Sequence, residues 1–194
     1  FLTEFAKRYD KDEILESILV GIQGDYGEAI YSVFGGWTQQ IPGDYHAHRG
    51  FWCDDKYALA DYRLFMKTKY KSIDAVNNAW KTAIEGFDTL DFPGRGDAFI
   101  EFEKKAASGD PNAARQWLDF VEWYRASMTD LSDWWLAETK RIFPNTRVYL
   151  CTGGHGDPAH GSDFSEQCRV AAKNGCGVRI TNEGSGYQWN NVLT

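Results

Sequence analysis

Apolar and polar residues follow each other along the chain in blocks that predict helices and short buried strands. Residues 1–16 carry apolar side chains at helical spacing, so we predict a helix there. The short apolar run 17–23 predicts a buried strand. Residues 31–50 have little periodicity and several glycines, which indicates a loop.

The next segment predicts two helices and an irregular stretch. Asp54 has the character of an N-cap for a helix that runs to about Tyr70, and Ser72 caps a shorter helix that ends near Trp80. Residues 86–110 are rich in Gly, Asp and Phe without helical spacing, so we predict that they are irregular.

The last third of the chain predicts helices and strands in alternation. Apolar residues at threes and fours predict a long helix over 111–142, and strands are predicted at 147–151 and 177–181. A capping-box pattern opens a helix at 163 that ends at 174. Residues 187–194 resemble the start of another helix.

This alternation predicts an α/β fold with a parallel sheet and right-handed crossovers. The architecture that we expect is a (β/α)8 TIM barrel, of which the chain forms the central part. A complete barrel needs about 250 residues, so the 194 residues are predicted to be a fragment of one catalytic domain. More than a hundred residues separate the first two strands. We therefore assign 31–146 to a loop and helix insertion, after the first visible strand, together with a long barrel helix.

Composition narrows the classes of function. The chain has 43% hydrophobic residues and a net charge of −7, without a run of Lys or Arg, so no nucleic-acid partner is predicted. No apolar run has membrane-spanning length, which argues against a membrane partner. The spacing of Gly21, Gly24 and Gly27 does not fit a nucleotide loop, and no cofactor is predicted. Because the chain begins without Met, we expect a piece of a longer protein.

Polar residues follow each of the three predicted strands. The carboxyl ends of parallel strands meet at one edge of a sheet, which is where barrels carry out chemistry. Glu28 follows the first strand, and Glu183 follows the third. Glycoside hydrolysis needs two carboxyl groups, one to donate a proton and one to attack the sugar or activate water, at roughly 5–10 Å from each other. Glu28 and Glu183 are the natural pair, whereas a structural role for Glu183 at Arg179 is the alternative.

Aromatic and polar residues near these strand ends suit a carbohydrate substrate. Aromatic residues make up 15% of the chain, and Trp and Tyr present flat apolar faces with a polar handle. Packing of the insertion is the alternative role for the loop aromatics. Burial among aromatic side chains would raise the pKa of Glu28 and keep it protonated. The predicted substrate-binding residues are Asp25, Tyr26, Tyr31, Trp37, Trp52, His155 and Asn182.

Two further functions stay open. His46 and His48, with His155 and His160, could serve a metal-dependent hydrolase. Hydrogen bonding to sugar hydroxyls suits His155 equally well, and the glycosidase hypothesis needs no metal. The chain could also be a barrel fragment that binds carbohydrate without hydrolysis. An open parallel sheet would need the remainder of the barrel or a second copy of the chain as a partner.

The residues after Glu28 resemble the barrel-fold glycoside hydrolases, and most closely the family 42 β-galactosidases. The resemblance rests on Phe51-Trp52-Cys53-Asp54-Asp55 and on the helical segment 58–82, with its Lys-Tyr pair, its Asn and its Trp. The long helix and the strand at 147–151 follow in the expected order. Gly27-Glu28 is also similar to the Gly-Glu acid of β-amylase-like barrels.

The resemblance implies hydrolysis of β-linked galactosides or related sugars, with retention, and a role for Glu28 as general acid/base at the end of the fourth barrel strand. Gly27 stands where that family has Asn, and its zinc-binding cysteines are reduced to Cys53, so no structural zinc is expected. The nucleophile would follow the seventh strand, while 177–181 counts as the sixth. The nucleophile would then lie beyond Thr194, with Glu183 as a subsite residue. Alternatively, Asn182-Glu183 is the family's Asn-Glu acid pair.

Overall fold

The computed structural model describes residues 1–11, 14–22, 27–32, 50–153 and 158–180. The chain divides into two compact units, of which the first is Phe1–Ala47 with Arg125–Thr194 and the second is His48–Tyr124. The described helices are α1 (Leu2–Tyr9), α2 (Lys56–Tyr70), α3 (Ile73–Trp80), α4 (Ala98–Ala107), α5 (Pro111–Ile142) and α6 (Phe164–Lys173). The described strands are β1 (Ser17–Val20), β2 (Arg147–Thr152) and β3 (Gly177–Ile180).

The first unit is built on a parallel sheet with strand order β1-β2-β3. Val20 pairs with Leu150, and Thr152 pairs with Ile180, so the three strands end at the same edge. The predicted α/β class and the predicted parallel pairing of these strands are confirmed. We refer below to the edge at which the strands end as the carboxyl edge.

One apolar core joins this sheet to its helices. Its members come from β1 and β2, from the segment after β1, from the C-terminal half of α5 and from α6. They are the buried residues Val20, Ala29, Leu136, Val148, Leu150 and Ala171. Because Ala29 is part of this core, the chain segment that follows β1 is packed against the sheet.

Helix α1 is shorter than the predicted helix over 1–16, because it ends at Tyr9. Asp10 follows it, and its buried carboxylate accepts hydrogen bonds from the loop between α5 and β2. Oδ1 accepts from the Thr146 hydroxyl (2.7 Å) and backbone N–H (3.1 Å), and Oδ2 accepts from Asn145 Nδ2 (3.0 Å) and N (3.3 Å). These bonds hold the end of α1 beside the start of β2.

The second unit contains α2, α3, α4 and the N-terminal half of α5. The carboxylate of Asp55 caps α2 by accepting from the N–H groups of Tyr57 and Ala58, so the cap lies one residue after the predicted Asp54. Ser72 caps α3 as predicted. Aromatic side chains pack together in this unit: Phe51, Tyr62, Phe92, Phe99, Trp117, Phe120, Trp123 and Tyr124.

Helix α4 lies within the segment 86–110, which the sequence predicted to be irregular, and that prediction was wrong. Asp97 at its N-cap position makes no side-chain capping bond. Phe99 of α4 is buried and stacks on Phe120, so tertiary packing stabilises a helix that has no strong start signal.

The remaining predictions for the last third agree with the structure where it is described. Helix α5 runs over the predicted range, and Asp163 caps α6 through the N–H of Glu166. The helix predicted at 187–194 lies outside the described residues. In the part of the chain that the structure describes, no helix is both long and apolar enough to cross a membrane.

Candidate functional site

Glu28 lies at the carboxyl edge of the sheet, eight residues after β1 ends at Val20. Its residue exposure is 6%, whereas a glutamate in an ordinary turn would be mostly exposed. The backbone N–H of the next residue, Ala29, donates to the carbonyl of Cys151 in β2 at 2.8 Å. This bond places the segment around Glu28 next to the end of β2.

Two glycines bring the chain back to the end of β1 before Glu28. A Cβ on Gly21 would lie 2.7 Å from the Gly27 carbonyl oxygen and 3.0 Å from its Cα, so the two backbones touch in a way that only glycine permits. Gly27 itself has φ of +76°, a conformation that side chains other than Gly rarely adopt. Both positions thus require glycine, and the second of them directly precedes Glu28.

The residues after Glu28 are bound on several sides. Gln167 of α6 donates from Nε2 to the carbonyl of Ala29 at 2.7 Å, and its Oε1 accepts from the hydroxyl of Thr152. The N–H of Tyr31 donates to the carbonyl of His160 at 2.9 Å. Since all of these partners belong to the first unit, its own elements fix the turn that carries Glu28.

Tyr31 is partly buried, and its hydroxyl shares a hydrogen bond with the hydroxyl of Ser127 in α5 (2.9 Å). This contact orients the phenol ring near the Glu28 turn. Substrate binding by Tyr31 stays a prediction.

Most of the other predicted site residues lie outside the described part of the chain. These are Glu183, predicted as a catalytic residue, and the predicted substrate contacts Asp25, Tyr26, Trp37, His155 and Asn182. Trp52 is described within the second unit, where it is 40% exposed and its backbone N–H donates to the Tyr124 hydroxyl at 3.0 Å. The binding roles of all these residues remain predictions.

Most of the histidines predicted for the alternative metal site also lie outside the described part of the chain. His46, His48 and His155 lie outside the described ranges, and His160 is buried after β2. Within those ranges, no group of three His, Cys, Asp or Glu side chains is placed to hold a metal ion. Burial and then the neighbouring Asp54 raise the pKa of Cys53 to about 12, so this thiol is protonated near neutral pH.

Another buried carboxylate, Asp119, lies in the second unit. Its Oδ1 accepts from Lys69 Nζ (2.8 Å) and Arg115 (3.0 Å), and its Oδ2 accepts from the Tyr70 hydroxyl (2.6 Å) and Trp80 Nε1 (2.8 Å). Four donors surround both oxygens, which is typical of a structural buried charge. We therefore assign Asp119 to stability rather than to chemistry.

Sequence reasoning missed Gln167 as part of the site. The signal was present, because Gln167 and Ala171 are four residues apart on α6 and both are buried, so a polar side chain lies on the apolar face of the helix. A buried amide needs partners, and its partners here are Thr152 and Ala29, which are distant in sequence.

Three comparisons with known proteins bear on this arrangement. The family model of glycosyl hydrolase family 14 matches residues 1–156. The thermophilic β-amylase of Thermoanaerobacterium thermosulfurigenes is 30% identical over 135 residues, which cover 67% of this chain and 22% of that protein. The crystal structure of the catalytic domain of β-amylase from Paenibacillus polymyxa matches with a TM-score of 0.67 and 18% identity, over 98% of this chain and 50% of that one. The chain thus spans about a fifth of the length of the first relative and half of the second.

These matches support a barrel glycoside hydrolase, as predicted, and do not support the family 42 β-galactosidases. The structure explains why the segment 51–82 indicated the wrong family of glycoside hydrolases. Phe51 packs against Phe99 and Phe120, and Asp55 caps α2. Trp80 donates to Asp119. These features stabilise the second unit and are not specific to one family of enzymes.

Proposed function

The chain belongs to glycosyl hydrolase family 14, and on that premise we propose that it is part of an enzyme that hydrolyses starch-type glucans, as the name of its β-amylase relative implies. We further propose that Glu28 is the general acid of this reaction. Burial of Glu28 at the carboxyl edge of a parallel sheet, on a turn fixed by Gly27 and the end of β2, carries the proposal. That edge is where barrel enzymes place their catalytic groups.

The chemistry that we propose needs a protonated carboxyl group next to the glycosidic oxygen. Glu28 would donate its proton to the leaving oxygen, because removal from water favours the neutral form of a carboxyl group. A second carboxylate would attack the sugar or activate water. Glu183, three residues after the end of β3, is the candidate for that role. Tyr31 and the predicted residues Asp25, Tyr26, Trp37, His155 and Asn182 are proposed sugar contacts.

The proposed architecture is the central part of one (β/α)8 barrel, which the match to half of a β-amylase catalytic domain supports. In this proposal, 1–194 belong to one catalytic domain, and 31–146 form the insertion together with the long barrel helix. The remainder of the barrel is the proposed partner of the sheet edges.

The test is the full-length protein carrying Glu28→Gln, assayed on soluble starch. Since a positioned general acid contributes about 10²–10⁴-fold to a rate, we expect kcat to fall by that factor with little change in Tm. Glu138→Gln is the control, because Glu138 is a partly exposed residue of the same unit whose carboxylate pairs with Arg141. An E28Q variant with normal kcat on starch would contradict the role of Glu28.

The substrate class is tested with the same preparation. We expect release of sugar from starch and none from an aryl β-galactoside. Proton NMR of the first sugar released shows whether its anomeric configuration is retained or inverted. Retention indicates carboxyl groups roughly 5–5.5 Å apart, and inversion roughly 6.5–9.5 Å. Binding of starch oligosaccharides in calorimetry without any hydrolysis would favour the alternative of a carbohydrate-binding protein.

A further inference from the structure

Gln167 is completely buried in α6, with 0% exposure, and both ends of its amide group have partners. Nε2 donates to the Ala29 carbonyl at 2.7 Å, and Oε1 accepts from the Thr152 hydroxyl. Thr152 is the last residue of β2 and is 1% exposed. The side chain therefore connects the end of a strand to the residue that follows Glu28.

The chemistry of the two partners fixes the orientation of the Gln167 amide. A carbonyl oxygen can only accept, so the group that faces Ala29 must be the NH2 donor. The hydroxyl of Thr152 can then donate to Oε1. A rotated amide would place two acceptor oxygens against each other at Ala29, inside a region that water does not reach. Gln167 thus has one stable arrangement.

Ala29 is held on both sides by this arrangement. Its N–H donates to the Cys151 carbonyl at 2.8 Å, and its C=O accepts from Gln167. The first bond fixes the peptide plane between Glu28 and Ala29, and the second fixes the plane that follows. The peptide planes beside a residue determine the direction of its Cα–Cβ bond. The Cys151 bond therefore acts on Glu28 directly, and the Gln167 bond acts on it through Ala29, because it fixes the plane on the far side of Ala29.

We propose that Gln167 is a positioning residue for Glu28, which it holds in place through the backbone of Ala29 without contact with the substrate. The expected effect of Gln167 on the catalytic rate rests on the proposed function. Its expected effect on the backbone of the Glu28 turn rests on geometry alone. A misplacement of about 1 Å can reduce a catalytic rate by about 10²-fold. Loss of the Gln167 bonds should therefore reduce turnover without removing any group that takes part in the reaction.

The variant for the test is Gln167→Met in the full-length protein, since Met has a similar length and makes neither hydrogen bond. The control is Thr139→Val. Thr139 is buried in the same unit, its hydroxyl donates to the Trp135 carbonyl at 2.7 Å, and it lies near the end of α5, which leads to the opposite edge of the sheet. Each variant loses buried hydrogen bonding, but only Q167M loses a bond to the Glu28 turn.

The kinetic readout compares two leaving groups. For starch, we expect kcat of Q167M to fall about 10–100-fold with KM within about threefold. For an activated glycosyl fluoride of the same sugar, whose weakly basic leaving group needs little protonation, kcat should fall less than about threefold. T139V should match the wild type on both substrates. Equal losses on both substrates, or a similar loss in T139V, would show a general structural role and overturn the proposal.

Hydrogen exchange measures the effect on the turn without any activity. Peptides that cover residues 27–32 should exchange at least tenfold faster in Q167M than in the wild type, and at the wild-type rate in T139V. Unchanged exchange in Q167M would overturn the positioning role. If the wild-type protein hydrolyses no glucan, the proposed function fails, and the exchange result still decides whether Gln167 holds the turn.

Discussion

At the scale of the residue, the buried charge of Asp119 is acceptable because donors surround it. Lys69 and Arg115 supply positive charge, and Tyr70 and Trp80 supply neutral donors. Lys69 also contacts Glu122, whose side chain is 58% exposed. One lysine therefore bridges a buried and an exposed carboxylate, which permits a direct comparison of their contributions.

Replacement of Asp119 by Ala should lower the free energy of unfolding by about 3 kcal/mol. Lys69 and Arg115 can turn toward water after the change, but the buried N–H of Trp80 loses its acceptor. Replacement of Glu122 by Ala should cost less than about 1 kcal/mol, since exposed ion pairs contribute little. Urea unfolding of the two variants measures the difference. Equal losses of the free energy of unfolding in the two variants would show that burial does not increase the contribution of Asp119 to stability.

At the scale of the element, the sequence predicted helices best where a cap lies next to the helix that it starts. Ser72 and Asp163 cap α3 and α6 as expected. Asp55 caps α2 in place of the predicted Asp54 for a tertiary reason. Asp54 pairs instead with Arg95, which is 41 residues away in the sequence. Nothing in the local pattern distinguishes the two aspartates.

The elements that sequence reasoning missed depend on distant partners. Helix α4 has no side-chain cap and is held by ring contacts to Phe51 and Phe120. The hydrogen bonds of Gln167 depend on Thr152 and Ala29, which reach it only after the sheet and α6 have packed. Glu28 could be selected as a candidate from the sequence because the signal is local: an apolar strand, closely spaced glycines and a carboxylate follow one another.

Asp10 connects α1 to the start of β2 and makes stability dependent on pH. Burial alone would raise the pKa of Asp10, but the hydrogen bonds from Thr146 and Asn145 outweigh it and hold the pKa below its ordinary value. A carboxyl group with a lowered pKa in the folded state stabilises the fold above its unfolded pKa of about 3.9. This contribution is lost as the pH falls through the folded pKa.

We therefore expect Asp10→Asn to cost about 1–2 kcal/mol near pH 7. The difference from the wild type should shrink as the pH falls below about 4. Urea unfolding at pH 7, 5 and 3 measures it. Glu4→Gln is the control on the same helix, because that side chain is 75% exposed and pairs with Lys7 on the surface. If the difference in the free energy of unfolding between D10N and the wild type were constant with pH, the lowered pKa of Asp10 would be contradicted.

At the scale of the whole molecule, the described sheet has β1 at one side and β3 at the other, each paired with β2 alone. Leu19 of β1 is 52% exposed, and Trp134 of α5 is 57% exposed. Open strand edges with apolar side chains favour association with other chains. The proposed remainder of the barrel would cover the sheet edges in the full-length protein.

We expect residues 1–194 expressed alone to self-associate and to be inactive on starch, whereas the full-length protein should be active. Size-exclusion chromatography with light scattering and a starch assay on both proteins provide the measurements. Leu19→Lys in the short protein should reduce association, because a charge on an edge strand opposes pairing. A monomeric and cooperatively folded short protein would show that β1 and β3 need no further strands from outside residues 1–194.

The contact between Gly21 and Gly27 has a consequence for the changes that this part of the chain can tolerate. The chain leaves the sheet at Gly21 and is back beside it at Gly27, six residues later, so the segment between the two glycines begins and ends at one place. Residues inserted or exchanged in that segment need not displace Glu28. Under the proposed function, substitutions between the two glycines would alter sugar recognition while the carboxyl group of Glu28 stays in place.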